Sequence, residues 1–370
     1  MYILENDLLS NQHQQSVSFS PLKFAIIKSF WGLNITSRTA INNELQLEPY
    51  FSYYSKQCHL MLGDGGRHIS ARRHHDISHI VELFNEEKTL EETVDAIRSN
   101  ILHLNLPDEE DMILGSINLA ARLYLMMSFG EVPNARTPER ALSWTGASIQ
   151  DFLKQHLEPR QVLASTSVKL QKIFNARNIQ RLAGIKIEWT SDLGQHLRMI
   201  HDDERVAIFH NASFLRLHQQ RYVTSNSNRF RFESPKNINT RCSRIFPEGF
   251  IDETLRTLAL LFPQSDKEVK KWVQGLPSEI DQSVRICGSL GADSRHIERF
   301  TYWHDRVVVL KQVFDEVEPG TVAHLWNDRR RPVQWYTLWT AALVILLTIF
   351  FGFVQCVEGA FQVYKAYYPK

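Results

Sequence analysis

The longest apolar stretch of the chain runs from Pro332 to Val357, which is 26 residues without a charged side chain. About 20 helical residues cross a bilayer core of ~30 Å, so this stretch predicts one transmembrane helix over 333–357 with a short tail at 358–370. Its aromatic residues are typical of membrane interfaces. The residues that we assign to the membrane anchor are Pro332, Trp335, Tyr336, Trp339, Leu343, Ile345, Leu346, Phe350, Phe351 and Tyr364.

Apolar residues elsewhere recur mainly with the spacing of amphipathic helices. Thr89 and Glu92 form a capping box before one such stripe, and Ser265 with Glu268 forms a second. The stripes predict helices over 90–101, 107–130, 148–157, 250–262 and 294–317. The stretch at 63–76 has the composition of a solvated loop.

Residues 168–218 follow a different pattern. A helical stripe that ends near Gly184 is followed by strand-like alternation at 185–189. We then expect a brief helix, capped by Ser191 or Asp192, that holds Leu193, Leu197 and Ile200. A second short strand is expected at Val206–Phe209. This order predicts a small α/β unit that is winged-helix-like.

The pattern as a whole predicts a mainly α protein, with a helical cytosolic body, the small α/β unit and one C-terminal transmembrane helix. The predicted parts of the body are a polar N-terminal segment at 1–77, a helical domain at 78–160, the α/β unit at 168–218, a basic linker or loop at 219–247 and a helical region at 248–328.

Charge separates the body from the segment that follows it. The chain has 42 Lys and Arg against 41 Asp and Glu. Five of these basic residues and one of the acidic residues lie in 329–370. The body at 1–328 therefore has 37 basic and 40 acidic residues, a net charge of −3. An acidic body argues against general nucleic-acid binding. The four cysteines contain no CxxC pair, which is typical of a reduced cytosolic protein without a disulfide framework or zinc site.

The residues on either side of the span predict its orientation. Arg329, Arg330 and Arg331 precede it directly, whereas only Lys365 and Lys370 follow it as basic residues. Clustered arginines favour the cytosolic side, and the first residues of the chain lack the basic region of a signal peptide. We therefore expect a tail-anchored protein whose body is cytosolic and whose span lies in the endoplasmic reticulum.

We find no catalytic motif, and we expect no cofactor and no metal. A cluster of candidate metal ligands follows two arginines that repel a cation, so a basic solvated loop is favoured over a zinc or iron site. The ligands of this cluster are His74, His75, Asp76 and His79. The sequence CGSLG at 287–291 lacks the first glycine and the preceding strand of a nucleophile elbow. His210, on an otherwise apolar face, is interpreted as a satisfied core residue.

Arginines and aromatic residues alternate in the segment 216–244. Such a segment can bind RNA by stacking or lie on anionic lipid, and the membrane span favours lipid of the two. A solvated loop without a ligand is the third interpretation and the favoured one. The residues that we assign to a lipid or RNA contact are Arg229, Phe230, Arg231 and Phe232.

Two blocks of sequence resemble a family. The first is LQKIFNARNIQRLAGIKIEWTSDLGQHLRMIHDDERVAIFHNASFL at 170–215, and the second covers 302–319 and 326–369, including the span. Together they are similar to a large family of uncharacterised, C-terminally membrane-anchored proteins of filamentous fungi. The resemblance covers about a third of the chain. It implies a fungal source and a single terminal span, and it carries over no catalytic residue.

Three functional hypotheses follow. The leading one is a non-enzymatic, tail-anchored membrane protein whose body is an interaction or scaffold module for protein partners that the sequence does not identify. The second is an enzyme or accessory protein that acts on hydrophobic metabolites at the membrane. The third is a winged-helix nucleic-acid binder, which would need a positive face on 168–218.

Overall fold

The computed structural model describes residues 21–33, 46–63, 65–100, 108–132, 141–159, 161–163, 168–226, 244–316 and 332–368. Its helices are α1 (Pro21–Trp31), α2 (Glu48–Leu62), α3 (His74–Asn85), α4 (Leu90–Asn100), α5 (Glu109–Leu125), α6 (Ile149–His156), α7 (Ala176–Leu182), α8 (Ala212–Asn226), α9 (Phe250–Leu261), α10 (Lys267–Gln274), α11 (His304–Glu316) and α12 (Pro332–Tyr367). Its strands are β1 (Lys186–Thr190), β2 (Arg198–Ile200) and β3 (Arg205–Phe209). The prediction of a mainly α protein with a small α/β unit and an apolar C-terminal helix is confirmed.

The predicted capping box begins α4 as expected. Glu92 N–H donates to Thr89 Oγ1 at 3.2 Å, and Thr89 N–H donates to Glu92 Oε2 at 2.9 Å. Two otherwise unpaired backbone donors at the start of the helix are thereby satisfied.

The three strands form one sheet in the order β1–β3–β2. β1 lies parallel to β3, and β2 pairs with β3 in the antiparallel direction. The predicted helix at Leu193, Leu197 and Ile200 is wrong, because that segment is a single 3-10 turn at Leu193–Gln195 followed by β2. The turn is fixed by Asp192, which accepts the Gly194 N–H at 2.8 Å and so caps it. The winged-helix comparison depended on the order helix–strand–helix–strand, whereas the structure has a mixed three-stranded sheet here.

The segment predicted to be polar at 1–77 contains two buried helices, α1 and α2. Trp31 of α1 and Tyr50 of α2 lie 5.4 Å apart between ring centroids, and Tyr50 stacks on Phe214 of α8 at 5.9 Å. All three side chains are buried. Aromatic residues bury a large apolar area each, so few apolar positions suffice to attach these helices to the core.

Two predicted helix starts are wrong. In each case an acidic side chain that the sequence analysis did not consider accepts backbone N–H groups at or just before the first turn. α10 begins at Lys267, because Asp266 Oδ1, rather than Ser265, accepts the N–H groups of the first turn. The helix predicted from 294 begins only at His304 and is preceded by two 3-10 turns. The Glu253 carboxylate of α9 accepts three backbone N–H groups directly before that helix, from residues 301, 302 and 303 at 2.8 Å each.

Candidate functional site

Polar side chains collect at one edge of the sheet. β1 and β3 are parallel, so the residues that follow them, Ser191 and Asp192 after β1 and His210 and Asn211 after β3, come to the same edge. Ligand sites of α/β proteins lie at the carboxyl ends of parallel strands. This edge is therefore the first candidate for a ligand site in the body.

A cleft of about 860 Å³ opens at this edge. One wall is α2, with Tyr53 and Lys56, and the opposite wall is the end of β1, with Trp189 and Asp192. Charged and polar groups make up about half of the lining, together with Arg122 from α5. The lining suits a polar ligand better than a hydrophobic metabolite.

Asp192 lies at the centre of the polar edge. Its Oδ2 accepts the hydroxyl of Ser128 at 2.6 Å, and its Oδ1 accepts the Gly194 N–H. Burial raises the pKa of the Asp192 carboxyl, although these hydrogen bonds and the positive charge of Arg306 act in the opposite direction. The Ser128–Asp192 pair also lines a second cleft, of about 340 Å³, on the side of α11. One carboxyl group thus faces two clefts.

Arg122 is a buried cation near Tyr53. The residue is 2% exposed, and its guanidinium donates to the carbonyl oxygens of Phe129 at 2.6 Å and Glu131 at 2.7 Å. Burial lowers the pKa of the Arg122 guanidinium, and burial together with the charge of Asp192 raises the pKa of the Tyr53 hydroxyl. The backbone carbonyls hold the Arg122 side chain in place, so it supports the turn after α5 and shapes the floor of the cleft.

Ser191 and His210 resemble a nucleophile and its base, but their hydrogen bonds have the wrong direction. Nδ1 of His210 accepts the Asp281 N–H at 3.3 Å, so in the neutral ring the proton lies on Nε2 and is donated to Ser191 Oγ at 3.2 Å. A general base must instead accept the proton of the serine. Burial lowers the pKa of His210 to about 4, which keeps the ring neutral. The interpretation of His210 as a satisfied core residue is confirmed.

The C-terminal helix α12 is the second candidate site. The described residues contain one helix that is long and apolar enough to cross a membrane, over Tyr336–Tyr367. Of the predicted anchor residues, seven have exposed side chains, with exposed fractions between 57% and 64%: Tyr336, Leu343, Ile345, Leu346, Phe350, Phe351 and Tyr364. Trp339 is partly buried, and Pro332 and Trp335 lie in the first turn of the helix. The anchor residues thus form an apolar surface on one continuous helix.

Two other sets of predicted site residues lie outside the described residues. They are the orientation residues Arg329, Arg330 and Arg331, and the lipid or RNA contacts Arg229, Phe230, Arg231 and Phe232. Both assignments stay predictions.

The predicted solvated loop around His74 is wrong, because α3 begins there. His74 is buried and its Nδ1 lies 3.1 Å from the Tyr54 hydroxyl, while Asp76 Oδ2 accepts the N–H groups of Arg72 at 2.8 Å and Arg73 at 2.9 Å. These side chains begin a helix and do not point to one centre. In the part of the chain that the structure describes, three or more His, Cys, Asp or Glu side chains nowhere form a group that could hold a metal ion.

Sequence reasoning missed the polar edge because it interpreted Ser191 or Asp192 as the cap of a brief helix. The available signal was that polar residues directly follow both predicted strands, at Ser191 and at His210. The strands pair in parallel in the structure, and this pairing, which the sequence analysis did not predict, brings the two residues to the same edge. No protein-family model, curated protein or solved structure matches the chain. The resemblance to the fungal family stays a prediction.

Proposed function

We propose that this chain is a single-span membrane protein whose body is a non-enzymatic interaction module. The observation that carries the proposal is the exposed apolar surface of α12. This helix has 36 residues, which correspond to about 54 Å at 1.5 Å per residue, more than the ~30 Å of a bilayer core. An apolar surface of this size requires a lipid or protein cover.

The membrane part of the proposal is tested by charging the middle of α12. Replacing Leu346→Arg together with Phe350→Arg adds about 2.5–3.5 kcal/mol per arginine and removes about 0.3–0.6 kcal/mol per apolar residue, so insertion becomes less favourable by about 6–8 kcal/mol. We expect the full chain to stay in the membrane pellet after alkaline carbonate extraction and the variant to be released.

The matched control is Tyr364→Arg with Tyr367→Arg, which adds the same charge near the end of the helix, where a long side chain can reach water. This variant should stay in the pellet. Release of the unmodified chain by carbonate, or retention of the Leu346→Arg, Phe350→Arg variant, would contradict the membrane span.

We further propose that the body faces the cytosol and that the membrane is the endoplasmic reticulum. The three arginines before the span and the apolar run VILLTIFF support this, because basic flanks favour the cytosolic side and a strongly apolar core inserts readily. A glycosylation acceptor placed after Lys370 should be modified, and one placed in the body should not. The reverse pattern would refute the orientation, and a reporter with residues 326–370 at mitochondria would refute the destination.

We propose that the body is not an enzyme because polar side chains in its cleft are occupied by hydrogen bonds within the fold. The Ser191 hydroxyl oxygen accepts a hydrogen bond from His210, and Arg122 donates to backbone carbonyls, so these polar groups of the cleft stabilise the fold. The test is proximity labelling with the full chain and, as a control, with α12 fused to a reporter of similar size. An interaction module requires a set of labelled proteins that depends on the body, and identical sets would contradict it.

A second candidate function is favoured by Asp192 alone. A partly buried carboxyl with a raised pKa that faces two clefts can act as an acid or a base, and an enzyme or accessory protein at the membrane would use it. Metabolite profiles of cells that express the unmodified chain or Asp192→Asn test this. A metabolite that accumulates only with the variant would favour the enzyme over the interaction module, and identical profiles would count against it.

A further inference from the structure

Basic residues gather where α7 and α10 of the body meet. Between 168 and 187 the chain has five Lys and Arg and no Asp or Glu, although the body as a whole is acidic. α7 lies in this stretch and packs against α10, to which Arg177 is joined by an ion pair with Glu268. The basic stretch and α10 are therefore neighbours in space.

α10 adds three lysines on one face. Lys267, Lys270 and Lys271 are spaced i, i+3 and i+4, so they share a side of the helix, and all three are exposed. The buried residues of α10, Val269 and Val273, lie on the opposite side. The lysine face of α10 is thus directed away from the core.

A shallow cleft of about 440 Å³ joins the two groups of cations. It is lined by Lys172, Lys267 and Arg295, together with the hydroxyl-bearing Ser265 and Ser289. The Nε of Arg295 is buried and has no hydrogen-bond partner among the described residues. An unpaired buried N–H donor in a cleft that two lysines also line suits the oxygens of a phosphate group.

The carboxylates near this cleft are already engaged. Asp266 also lines it, and its Oδ1 accepts the N–H groups of Glu268 at 2.9 Å and Val269 at 3.1 Å. Glu268 is paired with Arg177. These two carboxylates offset two of the six positive charges of Lys172, Arg177, Lys267, Lys270, Lys271 and Arg295, so a positive excess remains.

We propose that this basic surface, formed by Lys172, Arg177, Lys267, Lys270, Lys271 and Arg295, docks on anionic phospholipid headgroups of the membrane that α12 spans, with a headgroup phosphate in the cleft. The inference rests on the proposed membrane span. Only 15 residues separate Glu316 from Pro332, which reach at most about 54 Å even when fully extended. The body is therefore held near the headgroups, where each Lys or Arg strengthens binding about fivefold.

Lipid fits this surface better than nucleic acid does. The body has a net charge of −3, and the loop that joins β2 to β3 carries Asp202, Asp203 and Glu204. A nucleic acid would have to be bound from solution against this repulsion, whereas the tether supplies the membrane at high effective concentration.

The test uses the full chain in lipid nanodiscs of phosphatidylcholine, with or without phosphatidylserine. The readout is the rate of acetylation of Lys172 and Lys270, followed by mass spectrometry. At about 0.1 M salt, where the Debye length is ~10 Å, we expect acetylation to be at least about fivefold slower in the anionic discs, and at about 1 M salt the difference should vanish.

Lys267→Glu with Lys271→Glu should abolish the difference between the discs. The matched control, Lys28→Glu with Lys154→Glu, makes the same change of charge at two exposed lysines elsewhere and should leave the difference intact. Equal acetylation of the unmodified chain in both discs, with the protein embedded in each, would overturn the docking. A chain that fails to enter the discs would instead refute the membrane span.

Two further arms distinguish the source of the phosphate. Inorganic phosphate added to the neutral discs should give no protection at millimolar concentration, because a free anion lacks the tether. Protection by inorganic phosphate alone, or by added RNA in neutral discs, would overturn docking on lipid and assign the surface to a soluble anion or to nucleic acid.

Discussion

His210 should make the body sensitive to mild acid. The pKa of His210 in the folded chain is lowered to about 4 by burial, whereas that of an unfolded histidine is about 6.5. The folded state therefore binds fewer protons, so the stability due to the neutral ring is complete above about pH 6.5 and is lost as the pH falls towards about 4. Between about pH 7.5 and pH 5 the loss for this one group is about 2 kcal/mol.

The comparison that isolates this effect is His210→Asn. The asparagine can place an oxygen near the position of Nδ1 and keep the Asp281 N–H paired, but it does not titrate. We expect the variant to be less stable at about pH 7.5 by about 1–3 kcal/mol, because the ring and its contact with Ser191 are lost. At about pH 5 the difference should shrink by about 2 kcal/mol.

The assay is urea unfolding of the full chain in nanodiscs, followed by tryptophan fluorescence. Trp189 reports on the site because its ring centroid lies 6.4 Å from that of His210. Another buried histidine, His196, has a pKa lowered to about 3, and its contribution is present in both proteins and cancels in the difference. A stability difference that stays constant from pH 7.5 to pH 5 would refute the neutral, buried state of His210.

Three further predictions concern other contacts. Glu253→Gln replaces a carboxylate that accepts three N–H groups by a side chain with one oxygen. The free energy of unfolding, measured by urea titration, should fall by about 1–3 kcal/mol. An unchanged value would show that α11 does not depend on this contact. Thr89→Ala removes half of a capping box and should cost about 1 kcal/mol in the same assay, whereas Thr340→Ala, in α12, should leave the unfolding of the body unchanged. Burial raises the pKa of Cys58, and that of Cys287 to about 12, so neither thiol should react with iodoacetamide at neutral pH before urea is added; rapid labelling of the folded chain would contradict their burial.

Some contacts that are local in sequence could be predicted, whereas contacts between distant segments could not. Even the local cap of α10 was assigned to Ser265 instead of its neighbour Asp266. Thr89 and Glu92 are three residues apart, and the capping box that they form is present as expected. The start of α11 could not be predicted in the same way, because Glu253 lies about fifty residues earlier in the chain. Helix starts that depend on such tertiary partners carry no signal in the local pattern.

The candidate site illustrates the same limit. The two parallel strands of the sheet, β1 and β3, were both predicted, and the polar residues after them are visible in the sequence. Their parallel pairing depends on β2, a strand of three residues, which allows the chain to return and run beside β1 in the same direction. Without knowledge of that pairing, the sequence does not indicate that Asp192 and His210 lie at the same edge of the sheet.

The contact at Glu253 also determines how a mechanical load would enter the body. The chain runs from α11 to α12, so any pull on α12 is applied to the C-terminal end of α11. The N-terminal end of α11 is held by the carboxylate of Glu253, by the Trp303 Nε1–H donated to Thr254 and by the bonds of Arg306 to the carbonyl oxygens of Gly194 and His196. These bonds join α11 both to α9 and to the turn after β1. Force on the C-terminal helix would therefore be shared between the helical part of the body and the sheet.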